Sequence, residues 1–95
     1  MKMMNYTGKG IGVAILDTGI SPHPDFGNRI CAFSDFISHK QTPYDDNGHG
    51  THVTGILCGD GTASGGKYRG VAPGCGIIGL KVLDRFGNEI GRAHV

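Results

Sequence analysis

The sequence lacks an excess of either charge and has no long apolar run. Nine lysines and arginines stand against eight acidic residues, which gives a net charge of +1. A balance this even argues against nucleic acid and against an anionic membrane surface as partners. No apolar run approaches the roughly 20 residues that span a bilayer, and the amino terminus lacks the apolar core of a signal peptide.

Cysteines are few and follow no pairing pattern. Cys31, Cys58 and Cys75 are far apart in the sequence, and no CxxC pair is present. An odd number without paired spacing argues against a disulfide framework and favours a reducing compartment. We therefore expect each cysteine to be a small buried residue. We expect the protein in the cytoplasm, or secreted if an upstream signal has been lost.

Glycine is abundant, and its 18 residues fall at turns between apolar runs in a chain long enough for one small domain. Residues 11–16 form a β-branched run, typical of a parallel strand buried on both faces. Further patterns predict strands at 29–36 and 77–83, a helix at 49–58 and a helix start at 91–95. A parallel sheet this small cannot cover both faces with helices. We therefore interpret residues 1–95 as the N-terminal portion of a single larger domain.

Two residues are placed where chemistry is expected. Asp17 ends the first predicted strand, and the carboxyl ends of parallel strands face the crevice where ligands bind. His49 follows a turn-rich segment and begins the predicted helix, whose positive end disfavours a second positive charge. An imidazole there tends to stay neutral, the form that a general base needs. Its tautomer requires a partner, and Asp17 is the candidate.

Three segments resemble, in the same order, motifs of the subtilisin-like serine proteases: GIGVAILDTG at 10–19, NGHGTHVTG at 47–55 and YRGVAPGCGIIGLKVL at 68–83. In that family the first motif holds an aspartate and the second a catalytic histidine. The resemblance covers nearly the whole chain and extends to the intracellular, AprX-like branch. It implies an α/β fold, namely part of the subtilisin-like three-layer arrangement with a mainly parallel sheet and a flanking helix.

The resemblance implies a serine endopeptidase that hydrolyses peptide bonds through an Asp-His-Ser triad. Asp17 would be the orienting carboxylate and His49 the general base. Gly50 would allow a close backbone approach, and His52 would face the body of the protein as a structural residue. The family's GTSxA motif, which carries the nucleophile, and its oxyanion asparagine are not found in these 95 residues. We therefore expect an active parent protein and an inactive 95-residue chain.

The resemblance also implies a peptide or protein substrate. Leu83 would border the pocket beside His49, and the substrate backbone would pair with an edge formed by Gly87, Asn88 and Glu89. No cofactor or metal site is predicted, although calcium is possible in the full-length parent. Asp25 resembles a position that binds calcium in some secreted relatives. Its companion loop is not recognisable in this sequence, so we interpret Asp25 as a turn residue.

Two alternatives come from other functional classes. The first is a non-catalytic subtilase-like module that keeps the fold and binds peptides by strand addition. The second is a metal-binding α/β domain, in which His49 and His52 would share a helix face and act as ligands. The sequence contains no HExxH motif and no paired CxxC to support that metal site.

Overall fold

The computed structural model describes residues 8–89, which form three strands, one α-helix and two single-turn 3-10 helices. The elements are β1 (Gly12–Asp17), β2 (Ile30–Asp35), α1 (His49–Cys58) and β3 (Gly76–Lys81), with 3-10 turns at Pro24–Phe26 and Thr62–Ser64. The predicted elements are confirmed, except that the third strand ends at Lys81. The predicted helix start at 91–95 lies outside the described residues. No helix within residues 8–89 is long and apolar enough to cross a membrane.

The last strand of the chain lies at the centre of the sheet. The strand order is β1-β3-β2, and both pairings are parallel. Lys81 at the end of β3 is in register with Asp17 on one side and with Asp35 on the other. Two carboxylates and an ammonium group thus share the carboxyl edge of the sheet. The predicted α/β class, with a mainly parallel sheet and a flanking helix, is confirmed.

Only one face of this sheet is covered within the described residues. Along β1, Ile15 and Asp17 are buried, whereas Ala14 and Leu16 are exposed, Leu16 to 61%. The covered side packs into an apolar core formed by Ile15, Ile20, Phe26, Cys58, Cys75 and Ile77. The expectation that β1 is buried on both faces is therefore wrong for this part of the chain. The reason is that the single helix α1, which packs against β1, can cover one face only.

The cysteines do not share one environment. Cys58 and Cys75 are buried in the core, as predicted, whereas Cys31 is exposed. The expectation of a buried residue is wrong for Cys31, because it lies in edge strand β2 at an irregularity of the pairing between Ile30 and Ala32. All three thiols are free.

Candidate active site

Strand β1 places Asp17 at the carboxyl edge of the sheet. The residue is 8% exposed, and its Oδ1 accepts a hydrogen bond from the amide of Thr18 at 2.7 Å. Its carbonyl oxygen accepts from the amides of Val82 and Leu83 at 3.0 and 3.2 Å. The chain that leaves β3 is thereby bound to the end of β1, beside the Asp17 carboxylate.

Helix α1 begins at His49 after a turn that is organised by one carboxylate. Oδ1 of Asp45 accepts from the amides of Asn47 and Gly48, and its Oδ2 accepts from the amide and hydroxyl of Thr51. Burial acts to raise the pKa of Asp45. Hydrogen bonds, that of the Thr51 hydroxyl foremost, outweigh burial and hold this pKa at about 2. Asp45 thus accepts hydrogen bonds both from the predicted turn-rich segment and from the first turn of α1.

The two predicted residues meet at this edge. Nδ1 of His49 lies 2.8 and 2.9 Å from the two carboxylate oxygens of Asp17. A carboxylate only accepts hydrogen bonds, so Nδ1 carries the proton and the neutral ring presents Nε2 as a base. The His49 side chain is 62% exposed, which leaves the ring accessible to a reacting group. The structure brings Asp17 and His49 together, and their catalytic roles stay a prediction.

The charge state of His49 is not set by the helix end. The positive end of α1 alone favours a neutral ring, whereas the pKa of His49 is raised above 6.5. The hydrogen bond to Asp17 is the largest cause, followed by the charge of Asp17, and the charge of Asp45 adds to them. A carboxylate in direct contact outweighs the partial charge of a helix terminus.

His52 does not lie where the resemblance implies. It is exposed rather than turned into the body of the protein. Together with His23, Phe26 and Tyr68 it lines an open cavity of about 560 Å³ beside α1. Within the described residues His52 therefore does not face the body of the protein as expected, and its structural role stays a prediction. His52, one helical turn after His49, therefore lines this cavity and is not directed at Asp17.

The predicted substrate-binding residues form a tight turn after β3. Leu83 is half-buried and pairs with Glu89 through an isolated antiparallel bridge. The turn between them is closed by the backbone of Asp84, which accepts from the amide of Gly87 and donates to the carbonyl of Asn88. The Asn88 amide is also bound, to the Asp84 carboxylate. The backbone amides of Gly87 and Asn88 are therefore both occupied within the turn. Substrate binding by Leu83, Gly87, Asn88 and Glu89 stays a prediction.

The edge of the sheet also includes a buried lysine, Lys81, that the sequence patterns do not predict. Lys81 is fully buried, and its Nζ donates to the carbonyl of Thr18 at 2.5 Å and to Oδ1 of Asp46 at 2.7 Å. Nζ also lies 5.0 Å from the centre of the Tyr44 ring. The available signal was a single charged residue inside the apolar run IIGLKVL. Lys81 joins the residue after Asp17 to the turn before His49.

The described residues give no support to a metal centre. Between residues 8 and 89, no group of three or more His, Cys, Asp or Glu side chains could hold a metal ion. Oδ1 of Asp25 accepts from the amide of Ala63 at 2.7 Å, so the companion loop directs a positive N–H group at this carboxylate. A cation site would need oxygen ligands there. This contact agrees with the interpretation of Asp25 as a turn residue.

Comparisons with known proteins place the chain in a family. The sequence profile of the subtilase family, Peptidase S8, matches residues 8–94. The chain is 54% identical over 82 residues to the serine protease AprX of Bacillus subtilis, covering 86% of the chain and 19% of AprX. It is 43% identical over 82 residues to subtilisin Savinase of Lederbergia lenta, covering 86% of the chain and 29% of Savinase.

A solved structure shares the fold as well. The crystal structure of a cold adapted subtilisin-like serine proteinase superposes with a TM-score of 0.76 at 35% identity. The match covers 90% of the present chain and 29% of that protein. The chain thus spans 19–29% of the length of these three relatives.

Proposed function

Because the chain belongs to the subtilase family, we propose that it is the part of a serine endopeptidase that carries the general base and its orienting carboxylate. The observation that carries the proposal is the contact of His49 Nδ1 with Asp17 at 2.8 Å. Serine peptidases need an imidazole held in one tautomer with its other nitrogen accessible. Asp17 and His49 have that arrangement.

Each residue has a defined task in the proposed reaction. Nε2 of His49 removes the proton from a serine hydroxyl as the oxygen attacks the peptide carbonyl, and later delivers that proton to the leaving amine. Asp17 holds the ring through Nδ1 and stabilises the imidazolium that forms between these two transfers. The serine and the oxyanion asparagine would come from outside residues 1–95, since neither family motif occurs among them.

The proposed substrate is a peptide or protein bound in extended form. The amide of Leu83 donates to the Asp17 carbonyl, so Leu83 would border a substrate beside His49. Gly87 and Glu89 would supply backbone groups for strand addition. The proposed chemistry needs no cofactor. A cytoplasmic location is likewise part of the proposal.

The test compares the 95-residue chain with a longer chain that also carries the family's GTSxA segment. We expect the longer protein to hydrolyse casein and to react covalently with a fluorophosphonate, and the 95-residue chain to do neither. His49→Gln in the longer protein should abolish both signals, because the serine then has no base. The matched control is His39→Gln, in the exposed loop after β2, which should leave both signals intact. Casein cleavage by the 95-residue chain, or full activity of His49→Gln, would contradict the proposal.

The raised pKa of His49 predicts the acid limb of the pH profile. Only neutral His49 can act as a base, and a raised pKa means that this form is populated at higher pH than for an ordinary histidine. We expect kcat/KM to be lost as the pH falls through a midpoint above 6.5, with activity present above that midpoint. Initial rates on a peptide substrate, measured across neutral pH on both sides of this midpoint, test the expectation. A midpoint at or below 6.5 would show that Asp17 does not stabilise the protonated ring.

A further inference from the structure

The contact between Asp17 and His49 joins positions 32 residues apart, on a strand and on a helix. The contact between these two side chains does not by itself set the separation of β1 and α1, because each side chain can shift while the hydrogen bond is kept. A second link between the same two elements runs beside it. This link is built from Thr18 and Gly50, the residues that directly follow Asp17 and His49.

The hydroxyl of Thr18 is the centre of the second link. Thr18 is 1% exposed, and its Oγ1 accepts from the amide of Gly50 at 2.9 Å. The same hydroxyl donates to Oδ1 of Asp45 at 2.8 Å. One buried oxygen therefore contacts the strand end, the first turn of the helix and the turn that caps it.

Close contact between the two backbones makes this link sensitive to small changes. Gly50 is buried, and a Cβ at this position would overlap the carbonyl oxygen of Gly19. The close approach predicted for Gly50 is thereby confirmed. Because Gly50 has no side chain, the start of α1 approaches residues 18 and 19 closely, and the hydrogen bond from the Gly50 amide to the Thr18 hydroxyl helps to set the spacing of β1 and α1. A change in that bond is transmitted directly to the neighbouring pair.

Asp45 determines the direction in which this hydroxyl points. Its carboxylate is held by the first turn of α1, through the amide and hydroxyl of Thr51 at 2.8 and 2.6 Å. Because Oδ1 accepts the Thr18 proton, the oxygen lone pairs of Thr18 remain for the Gly50 amide. Asp45 and Thr18 thus form one chain of hydrogen bonds from the helix cap to the strand.

We propose that Thr18 and Asp45 are positioning residues that set the distance and angle between Asp17 and His49. The hydroxyl of Thr18 spaces the strand from the helix, and Asp45 orients that hydroxyl. Their relevance to catalysis rests on the proposed function. The effect on the pair itself does not, and it is measurable in the 95-residue chain.

A valine at position 18 removes this hydroxyl and keeps the shape of the side chain. The amide of Gly50 then loses its acceptor in a buried place, so the helix start moves to find another. The carbonyl of Thr18 keeps its bond to Lys81 in this variant, since that bond does not involve the side chain. The position of the strand end is therefore kept, while the hydrogen bond that sets the distance from the strand to the helix is lost.

Nuclear magnetic resonance of the ring protons of His49 tests the proposal. In Thr18→Val we expect the titration midpoint of His49 to fall toward that of an ordinary histidine, and the downfield Nδ1 proton signal to be lost. Thr18→Ser keeps the hydroxyl and should restore both. The matched control is Thr54→Val, which removes an equally buried hydroxyl from the same helix, bound there to the Gly50 carbonyl at 2.7 Å.

Asp45→Asn changes the orientation of the Thr18 hydroxyl and the local charge together, so it cannot replace Thr18→Val as the test. The charge of Asp45 itself raises the pKa of His49, as does Asp17, so this variant lowers the midpoint directly. Thr18→Val keeps both carboxylates and changes only the position. A normal titration midpoint and a normal Nδ1 signal in Thr18→Val would overturn the proposal. An equal loss of both in Thr54→Val would also overturn it, because the effect would then be general helix destabilisation.

In a longer, active chain the same variants separate the two proposals. Thr18→Val should lower kcat by roughly tenfold to a hundredfold, as expected for a misplaced base, with KM little changed. Thr18→Ser should retain most of the activity. If the longer chain is inactive, the proposed function fails while the His49 titration still decides the positioning role. If it is active and Thr18→Val has the kcat of the unaltered protein, the positioning proposal alone fails.

Discussion

Asn in place of Asp17 should lower kcat by about 10⁴ in a longer chain that carries the serine, which is the size of effect seen when a triad loses its carboxylate. An amide cannot hold the proton of His49 on Nδ1 as both oxygens of Asp17 do at 2.8 and 2.9 Å. The ring then adopts the other tautomer, with the proton on the nitrogen that must act as the base. Steady-state hydrolysis of a peptide substrate measures the change.

The matched control for this variant is Asp60→Asn. Asp60 accepts hydrogen bonds from the amide and hydroxyl of Thr62 in a connection remote from His49, so kcat should stay within about twofold. The amide of Thr18 can still donate to the side-chain oxygen of an asparagine at position 17, which keeps the strand end in place. A kcat for Asp17→Asn within about tenfold of the unaltered protein would exclude Asp17 as the orienting carboxylate.

Removal of the Asp46 carboxylate should destabilise the fold by about 3 kcal/mol, the lower end of the range for breaking a buried ion pair. Lys81 is fully buried, and Asp46 is its one carboxylate contact within 4 Å among the described residues. In Asp46→Ala the ammonium group keeps only the Thr18 carbonyl and the face of Tyr44. The lower end applies because Asp46 itself is 42% exposed, so water reaches this side of the pair.

Urea unfolding of the 95-residue chain measures this loss. Glu89→Ala is the control, since it removes the same charge from an exposed position and should change the free energy of unfolding by at most about 0.5 kcal/mol. Lys81→Met combined with Asp46→Ala should recover most of the loss, because no unpaired charge is then buried. Equal stability of Asp46→Ala and Glu89→Ala would show that the pair does not contribute to the fold.

The prediction for Asp46 and the proposal for Thr18 concern neighbouring parts of one edge. Lys81 binds the carbonyl of Thr18, while the hydroxyl of Thr18 binds Asp45 and the amide of Gly50. The bonds of Lys81 hold the end of β1 to β3 and to the turn before α1. The bonds of the Thr18 hydroxyl set α1 against β1. Loss of the Lys81 contacts should therefore appear mainly as a lower free energy of unfolding. Loss of the Thr18 hydroxyl should appear mainly as a lower titration midpoint of His49.

Local patterns were sufficient for the elements and for their order. A β-branched run predicts β1, and turn formers followed by Val53, Ile56 and Leu57 predict α1. The position of Asp17 at a strand end and of His49 at a helix start follows from the same patterns, because side-chain periodicity is a local property. The family motifs add the expectation that these two residues form a pair.

Several features could not be predicted in this way. The exposure of Cys31 depends on β2 being an edge strand. Strand order cannot be inferred from the periodicity of any one strand. The exposure of Leu16 depends on which face the helix covers. The raised pKa of His49 depends on a carboxylate that contacts the ring, which reverses the effect of the helix end alone.

The sequence by itself determined the class of fold, the family and the two residues proposed for proton transfer, because each rests on a short continuous motif. Only the tertiary structure decided how those two residues are held. The contacts that hold them connect positions 27 to 63 residues apart, through Thr18, Asp45 and Lys81. Such contacts form only when parallel strands place their carboxyl ends at one edge and a glycine lets the helix approach, and both conditions belong to the folded chain.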